Sequence, residues 1–240
     1  MFIFIRLLLA HLIGDYLLQS NKIYKCKSEG LRGVLPHIVL ITICLLVFSW
    51  PYLKLPSLWI FIFFIAITHL LQDWIKVNYI KVSGDFWVYL LDQVLHIAIV
   101  ATVFLTDLTN IQPSKSTGGF IVVIYNNNLI LVYLIALITA TYNGFYLISN
   151  FRNTFLGVVC EYNAFKKWYG VLERAGVVSI FFLGGFFFLL IPIVFFLRPI
   201  VFALGKNRFN IDQQFVSRSE IALSWTIAGI TGIILYLIMR

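Results

Sequence analysis

The chain has 240 residues, of which 61% are hydrophobic and 12% charged, with a mean hydropathy of +0.94 and a net charge of +8. Soluble domains carry about 25% charged residues, so this composition excludes a water-soluble globular fold and requires a polytopic membrane protein in contact with the lipid bilayer. The basic excess does not make a nucleic-acid binder, because Lys and Arg are spread among connecting segments with no basic domain to hold a duplex; they read instead as topology signals beside anionic lipid.

A spanning helix needs about 20 mostly apolar residues. Seven segments qualify, at roughly 2–20, 34–52, 57–79, 86–107, 129–149, 174–203 and 219–239. The expected fold is therefore all-α: a single integral-membrane domain over 1–240, with a four-helix half over 1–107 and a three-helix half over 108–240. The first segment lacks a basic start, and Asn21 to Lys25 follow it instead of a small-residue cleavage site, so it reads as a span and not as a signal peptide. Pro51 and Pro56 bracket the short second connection. Phe120 to Tyr125 reads as an interfacial lead-in, and Asn126-Asn127-Asn128 marks the start of the fifth span. Between spans five and six, Phe151, Phe155, Val158, Val159, Tyr162, Phe165 and Tyr169 follow helical spacing with charges between them. That pattern fits either an interfacial helix over 151–169 or an ordinary structured loop. The sixth run is long, and a kink is expected at Pro192.

Seven spans put Lys22, Lys25, Lys27, Arg32, Lys76, Lys81, Arg152, Lys166, Lys167 and Arg174 on one side. Lys54, Lys115, Arg198, Lys206, Arg208 and Arg218 fall on the other. The richer side is cytoplasmic by the positive-inside rule, which predicts an outside N-terminus and a cytoplasmic C-terminus. Arg6 is expected to snorkel from the outer half of span one, and Lys76 toward the headgroups. Cys26, Cys44 and Cys160 match no zinc or redox spacing and are expected to be free thiols.

All four histidines lie in the first hundred residues, and three have an aspartate one helical turn away: His11 with Asp15, His69 with Asp73, and His96 with Asp92. Residues at i and i+4 share a helix face. Counted from the cytoplasmic ends at 1.5 Å per residue, the aspartates share a layer about 8–9 Å deep and the histidines one about 14–15 Å deep. The order His-then-Asp reverses in the one span of the three that runs the opposite way. Ionisable groups at such depth face a protein interior and mark functional sites. If the faces converge, His11, His69 and His96 with Asp15, Asp73 and Asp92 form one metal site. His37, near the same end of its span, can join them, although taken alone it reads as a satisfied interfacial histidine. Nitrogen and carboxylate donors without thiolate suit a divalent ion, zinc first, then manganese or iron. A metal-free proton relay and simple interhelical hydrogen bonding are the bland alternatives. Gln19, Gln72 and Gln93 can orient ligands, while Glu173-Arg174 reads as an interface marker at the mouth of span six.

These motifs carry a resemblance. His11-Leu12-Ile13-Gly14-Asp15-Tyr16-Leu17-Leu18-Gln19, then His37, then His69-Leu70-Leu71-Gln72-Asp73-Trp74-Ile75-Lys76, then Asp92-Gln93-Val94-Leu95-His96 look like an uncharacterised bacterial membrane family labelled domain of unknown function 3307. Gly170-Val171-Leu172-Glu173-Arg174 and Ser219-Glu220 resemble its later signatures. The resemblance implies a bacterial inner-membrane protein and no activity. From the residues themselves three functions remain open. The first is a metal-dependent hydrolase acting on a lipid or membrane peptide, with Asp15, Asp73 or Asp92 as general base. The second is a divalent-cation or proton transporter, because His-x-x-x-Asp on two membrane helices resembles the ion site of cation diffusion facilitators. The third is a non-catalytic assembly protein.

Overall fold

The computed structural model describes residues 1–19, 30–80, 84–113, 119–158, 163–207, 209 and 213–240. Among them the chain forms helices and turns and no strand. Among the described residues, six helical segments are long and apolar enough to cross a membrane: Leu31–Phe48, Pro56–Ile80, Phe86–Leu105, Asn128–Leu156, Gly185–Gly205 and Arg218–Met239. Large apolar side chains stand outward along them, including Ile60, Phe63, Leu204 and Leu237 at 66% exposure or more. In water such surface would drive aggregation; in a bilayer it is the lipid-facing side.

The chain divides into two compact units, Met1–Ser83 with Trp87–Ile135, and Gly84–Phe86 with Ala136–Arg240. In the first unit, α1 (Phe2–Leu12) runs on as a π-helical turn, Ile13–Leu17. α2 spans Leu31–Phe48. α3 (Pro56–Ile75) opens with Pro56, whose missing N–H costs nothing at a helix start, and runs on to Ile80. α4 (Phe86–Ala101) tightens into a 3₁₀ turn, Thr102–Leu105. Ile3 and Leu7 of α1, Ile41 and Leu45 of α2, Leu58, Ile62 and Ile65 of α3, and Val100 of α4 form one buried cluster. Because successive helices alternate in direction, all these residues lie at one end of the unit, the end that also holds Phe2 against Tyr52 at 6.1 Å. In lipid, such packing associates helices through close contact and not through hydrophobic transfer.

Arg6 does not snorkel. It is fully buried: Nη1 donates to Phe2 O at 2.8 Å and to Asn128 Oδ1, and Nη2 donates to Tyr125 O. The short helix α5 (Phe120–Asn126) supplies the Tyr125 carbonyl, and the side chain of Asn127 caps the next helix by accepting from Leu129 N at 3.0 Å.

That next segment is one continuous helical run, α6 (Asn128–Ile138), a π turn and α7 (Gly144–Leu156), longer than the fifth span expected from sequence. Gly157 ends it with φ +61°, and Val158 N donates back to Arg152 O. No single helix therefore covers 151–169. Positions 159–162 of that expectation lie outside the described residues, as do Cys26 and Cys160; Cys44 is a free, buried thiol. α8 (Ala164–Leu183) starts beyond, with Asn163 Oδ1 accepting from Lys166 N at 3.1 Å.

The expected sixth span, 174–203, is not one kinked helix. Gly184 and Gly185 take φ of +65° and +55°, and the chain turns back on itself. α8 and α9 (Ile191–Gly205) pair as a hairpin, with Phe181 against Phe188 at 5.3 Å and Glu173 bonded to Arg198. Pro192 sits in the first turn of α9, where it needs no kink. α10 (Arg218–Met239) is capped by Ser217, whose Oγ accepts from Glu220 N. Only half of the Ser-x-x-Glu capping box forms, because the Glu220 carboxylate pairs with Arg152.

Candidate metal centre

Four helices of the first unit deliver the cluster. On α1, His11 and Asp15 meet across one turn, Nε2 to Oδ2 at 3.2 Å. Asp15 lies in the π-helical turn, a feature that recurs at functional sites. α2 begins at Leu31, earlier than the sequence suggests, so His37 lies six residues in, about 9 Å deep at 1.5 Å per residue and level with the aspartates. Gly14 lets α1 and α2 approach: a Cβ there would stand 2.9 Å from Ile41 Cγ1 and 3.2 Å from its Cα. His37 Nε2 consequently lies 2.9 Å from Asp15 Oδ1. α3 carries His69 and Asp73, Nε2 to Oδ2 at 3.5 Å, and α4 brings His96 to within 4.2 Å of His69 between ring centres. All four histidines and Asp73 are buried.

The distances test whether these donors fit an ion. Bonds of about 2.0–2.1 Å from zinc to nitrogen or oxygen set tetrahedral donor atoms about 3.3 Å apart. His37 Nε2, His69 Nε2 and Asp15 Oδ1 form a triangle with edges of 3.3, 2.9 and 3.8 Å. Asp73 Oδ2 stands 3.7 Å from His37 Nε2 and 3.5 Å from His69 Nε2. These five distances lie within about half an ångström of that spacing. Nδ1 of His37 and of His69 has no hydrogen-bond partner among the described residues, so both rings spend all their polar contacts at this one point. His11 bonds the second oxygen of Asp15, which is how a carboxylate ligand is commonly oriented. A second donor group, His69, Asp73 and His96, shares His69 with Asp15, His37 and His69.

His37, expected to be able to join the cluster, lies within it. Asp92, expected beside His96, lies with Oδ1 3.7 Å from His96 Nδ1, while its Oδ2 accepts from Lys76 Nζ at 2.5 Å and from Gln93 Nε2 at 3.3 Å. Lys76 is therefore held by a carboxylate and does not simply reach for headgroups. His96 Nδ1 lies 2.6 Å from the Asp92 carbonyl oxygen, which can only accept. Nδ1 must carry a proton, and Nε2 has no hydrogen-bond partner among the described residues. Tyr16 donates to Gln93 Oε1 at 2.5 Å and meets the Tyr89 hydroxyl at 3.0 Å. Sequence reading passed over both tyrosines; the signal was Tyr16 beside Asp15, and Tyr89 one turn before Gln93.

The second unit holds a separate buried polar cluster. Glu173 accepts from Arg198 Nε at 2.9 Å, from Arg198 Nη2, and from Ser224 Oγ at 2.8 Å. Arg152 Nη1 pairs with Glu220 at 2.5 Å. Glu173 and Arg174 are thus core residues of that unit and not interface markers, and Arg198 belongs to the same core and not to a loop.

No curated protein and no solved structure matches the chain. Residues 3–120, which carry all four histidines and Asp15, Asp73 and Asp92, match the family model described as protein of unknown function DUF3307.

Proposed function

We propose that the first unit holds one divalent metal ion, zinc first, at His37, His69, Asp15 and Asp73. With it the protein hydrolyses an ester, phosphoester or peptide bond of a membrane-embedded substrate. The observation that carries this reading is the set of five donor distances around His37 and His69, which match the spacing of ligands on one zinc ion.

Access to the donors supports hydrolysis over transport. On one side of the histidines lies the apolar cluster of Ile3, Leu7, Ile41, Leu45, Leu58 and Ile65, capped by buried Arg6. On the other lie Tyr16, Tyr89, Gln93, Asp92 and the partly exposed Lys76. A transporter needs a polar route both ways, whereas an enzyme needs one entrance. A bound ion would supply Lewis acidity to the scissile carbonyl or phosphoryl group. The chain does the rest. His11 fixes Asp15, and His96, with Nδ1 committed to the Asp92 carbonyl, offers Nε2 to take the proton of the attacking water. His96 thus replaces Asp15, Asp73 and Asp92 as the proposed general base, and Asp92 leaves the ligand set.

His96→Gln should keep the metal and lose about 10²- to 10⁴-fold in turnover. The check is metal content alongside hydrolysis of a panel of fluorogenic phospholipids, lipid phosphates and hydrophobic peptides in detergent. Full activity in this variant contradicts the assignment of the base. Ion uptake into sealed vesicles by wild type, with no turnover of any substrate, contradicts hydrolysis.

We further propose a bacterial plasma-membrane topology with both termini outside. With α1 and α8 counted as crossings beside the six segments that are long and apolar enough, the number is eight, one more than the seven read from sequence, because the α8–α9 hairpin replaces a single run. Fourteen of the eighteen Lys and Arg then fall at or toward one side, all except Arg6, Lys54, Lys115 and Arg240, so the positive-inside rule makes that side cytoplasmic. This moves the C-terminus from the cytoplasm to the outside. In a cysteine-free background, Arg240→Cys should react with a membrane-impermeant maleimide on intact cells, and Lys166→Cys only after lysis. The reverse pattern overturns the topology.

A further inference from the structure

The buried cluster of the second unit surrounds a pocket of about 50 Å³ lined by Arg152, Lys166, Gly170, Arg174, Arg198 and Glu220, among others. Counting charges shows what it lacks. Glu173 is engaged by Arg198 through two nitrogens, and Glu220 by Arg152. Arg174, only 2% exposed, donates to neutral oxygens alone: Nη1 to Ser224 Oγ at 3.2 Å and Nη2 to Thr141 O at 3.0 Å. Its Nε and that of Arg152 have no hydrogen-bond partner among the described residues. Removing one partner from a buried ion pair is strongly destabilising because it strands a charge, and here a guanidinium is buried with no carboxylate bonded to it among the described residues. Gly170 makes room for that guanidinium, since a Cβ there would stand 3.0 Å from Arg174 Nη1.

We infer that this pocket binds a phosphate group. Guanidinium forks match the oxygens of phosphate. A water needs about 10–15 Å³ of such space, so the pocket takes a few water-sized groups, the scale of one tetrahedral oxyanion. Asn163, Lys166 and Gln214 line it from the start of α8 and the turn before α10, where a membrane protein meets headgroups. The ligand is a phosphate, either free or in a lipid headgroup. The pocket does not rest on the metal centre.

The test uses the full chain, delipidated in detergent, with native mass spectrometry and thermal unfolding. The probes are inorganic phosphate and phosphatidylglycerol mixed micelles. One phosphate or one phospholipid should bind per chain and raise the unfolding temperature. Binding of inorganic phosphate without displacement by lipid marks a free anion; binding of lipid that inorganic phosphate displaces marks a headgroup. Arg174→Gln should abolish binding. In case that variant unfolds, Lys166→Gln and Gln214→Glu, both at partly exposed positions, should each weaken it about fivefold, the scale of one cationic contact. His69→Ala should bind phosphate as wild type does, which separates this site from the metal centre. Failure of wild type to bind either probe, or wild-type affinity in both Lys166→Gln and Gln214→Glu, overturns the proposal.

Discussion

His69→Ala is expected to leave the protein without tightly held metal. His69 belongs to both donor groups, and its Nε2 lies 3.3 to 3.8 Å from His37, Asp73 and Asp15 donor atoms. Its loss removes the one donor common to both groups. The effect should exceed the 10- to 100-fold typical of losing an orienting partner; His11→Ala, which releases only the second oxygen of Asp15, should show that smaller loss. Asp92→Asn is the informative control. The i,i+4 spacing makes Asp92 a ligand, whereas its side chain engages Lys76 and Gln93, so this variant should retain full metal. Metal per chain after gel filtration checks all three, with thermal unfolding to show that each is folded. Retention by His69→Ala, or loss from Asp92→Asn, contradicts the ligand set.

Glu173→Ala should be the most destabilising change in the second unit. The carboxylate takes two nitrogens of Arg198 and the hydroxyl of Ser224, all of them buried. Breaking a buried pair by removing one partner costs about 3–5 kcal/mol, because the other charge stays behind. The double variant Glu173→Leu with Arg198→Met removes both charges and should recover most of that loss, since replacing a whole buried pair by apolar residues is often neutral. Denaturation in detergent micelles measures both. A loss below about 1 kcal/mol for Glu173→Ala, the range of exposed pairs, contradicts the assignment of this pair to the core.

Much of the first unit was legible because periodicity and membrane depth are both written in sequence. The i,i+4 spacing of His11–Asp15 and His69–Asp73, and its reversal at Asp92–His96, encode a shared face and a shared level, and the structure brings these histidines together. What spacing does not encode is the rotamer. Asp92 occupies the right face and level but points at Lys76, one turn beyond Asp73 on another helix. His37 lies deeper than the apolar run suggests, because its helix starts at Leu31, three residues earlier. Hydropathy also concealed the α8–α9 hairpin. Gly184 and Gly185 sit in an unbroken apolar stretch, and only their positive φ values mark a turn. With the hairpin folded, Arg198 moves from a supposed loop onto Glu173, so one misread turn hid the whole buried cluster of the second unit.

The most direct measurement of the metal centre is X-ray absorption on zinc-loaded protein. Four nitrogen or oxygen neighbours at about 2.0–2.1 Å, with outer-shell scattering from two imidazoles that falls when His37 or His69 is replaced, are the expected result. A protein that retains no zinc, or one whose bound zinc shows sulfur neighbours or a spectrum indifferent to both replacements, contradicts it.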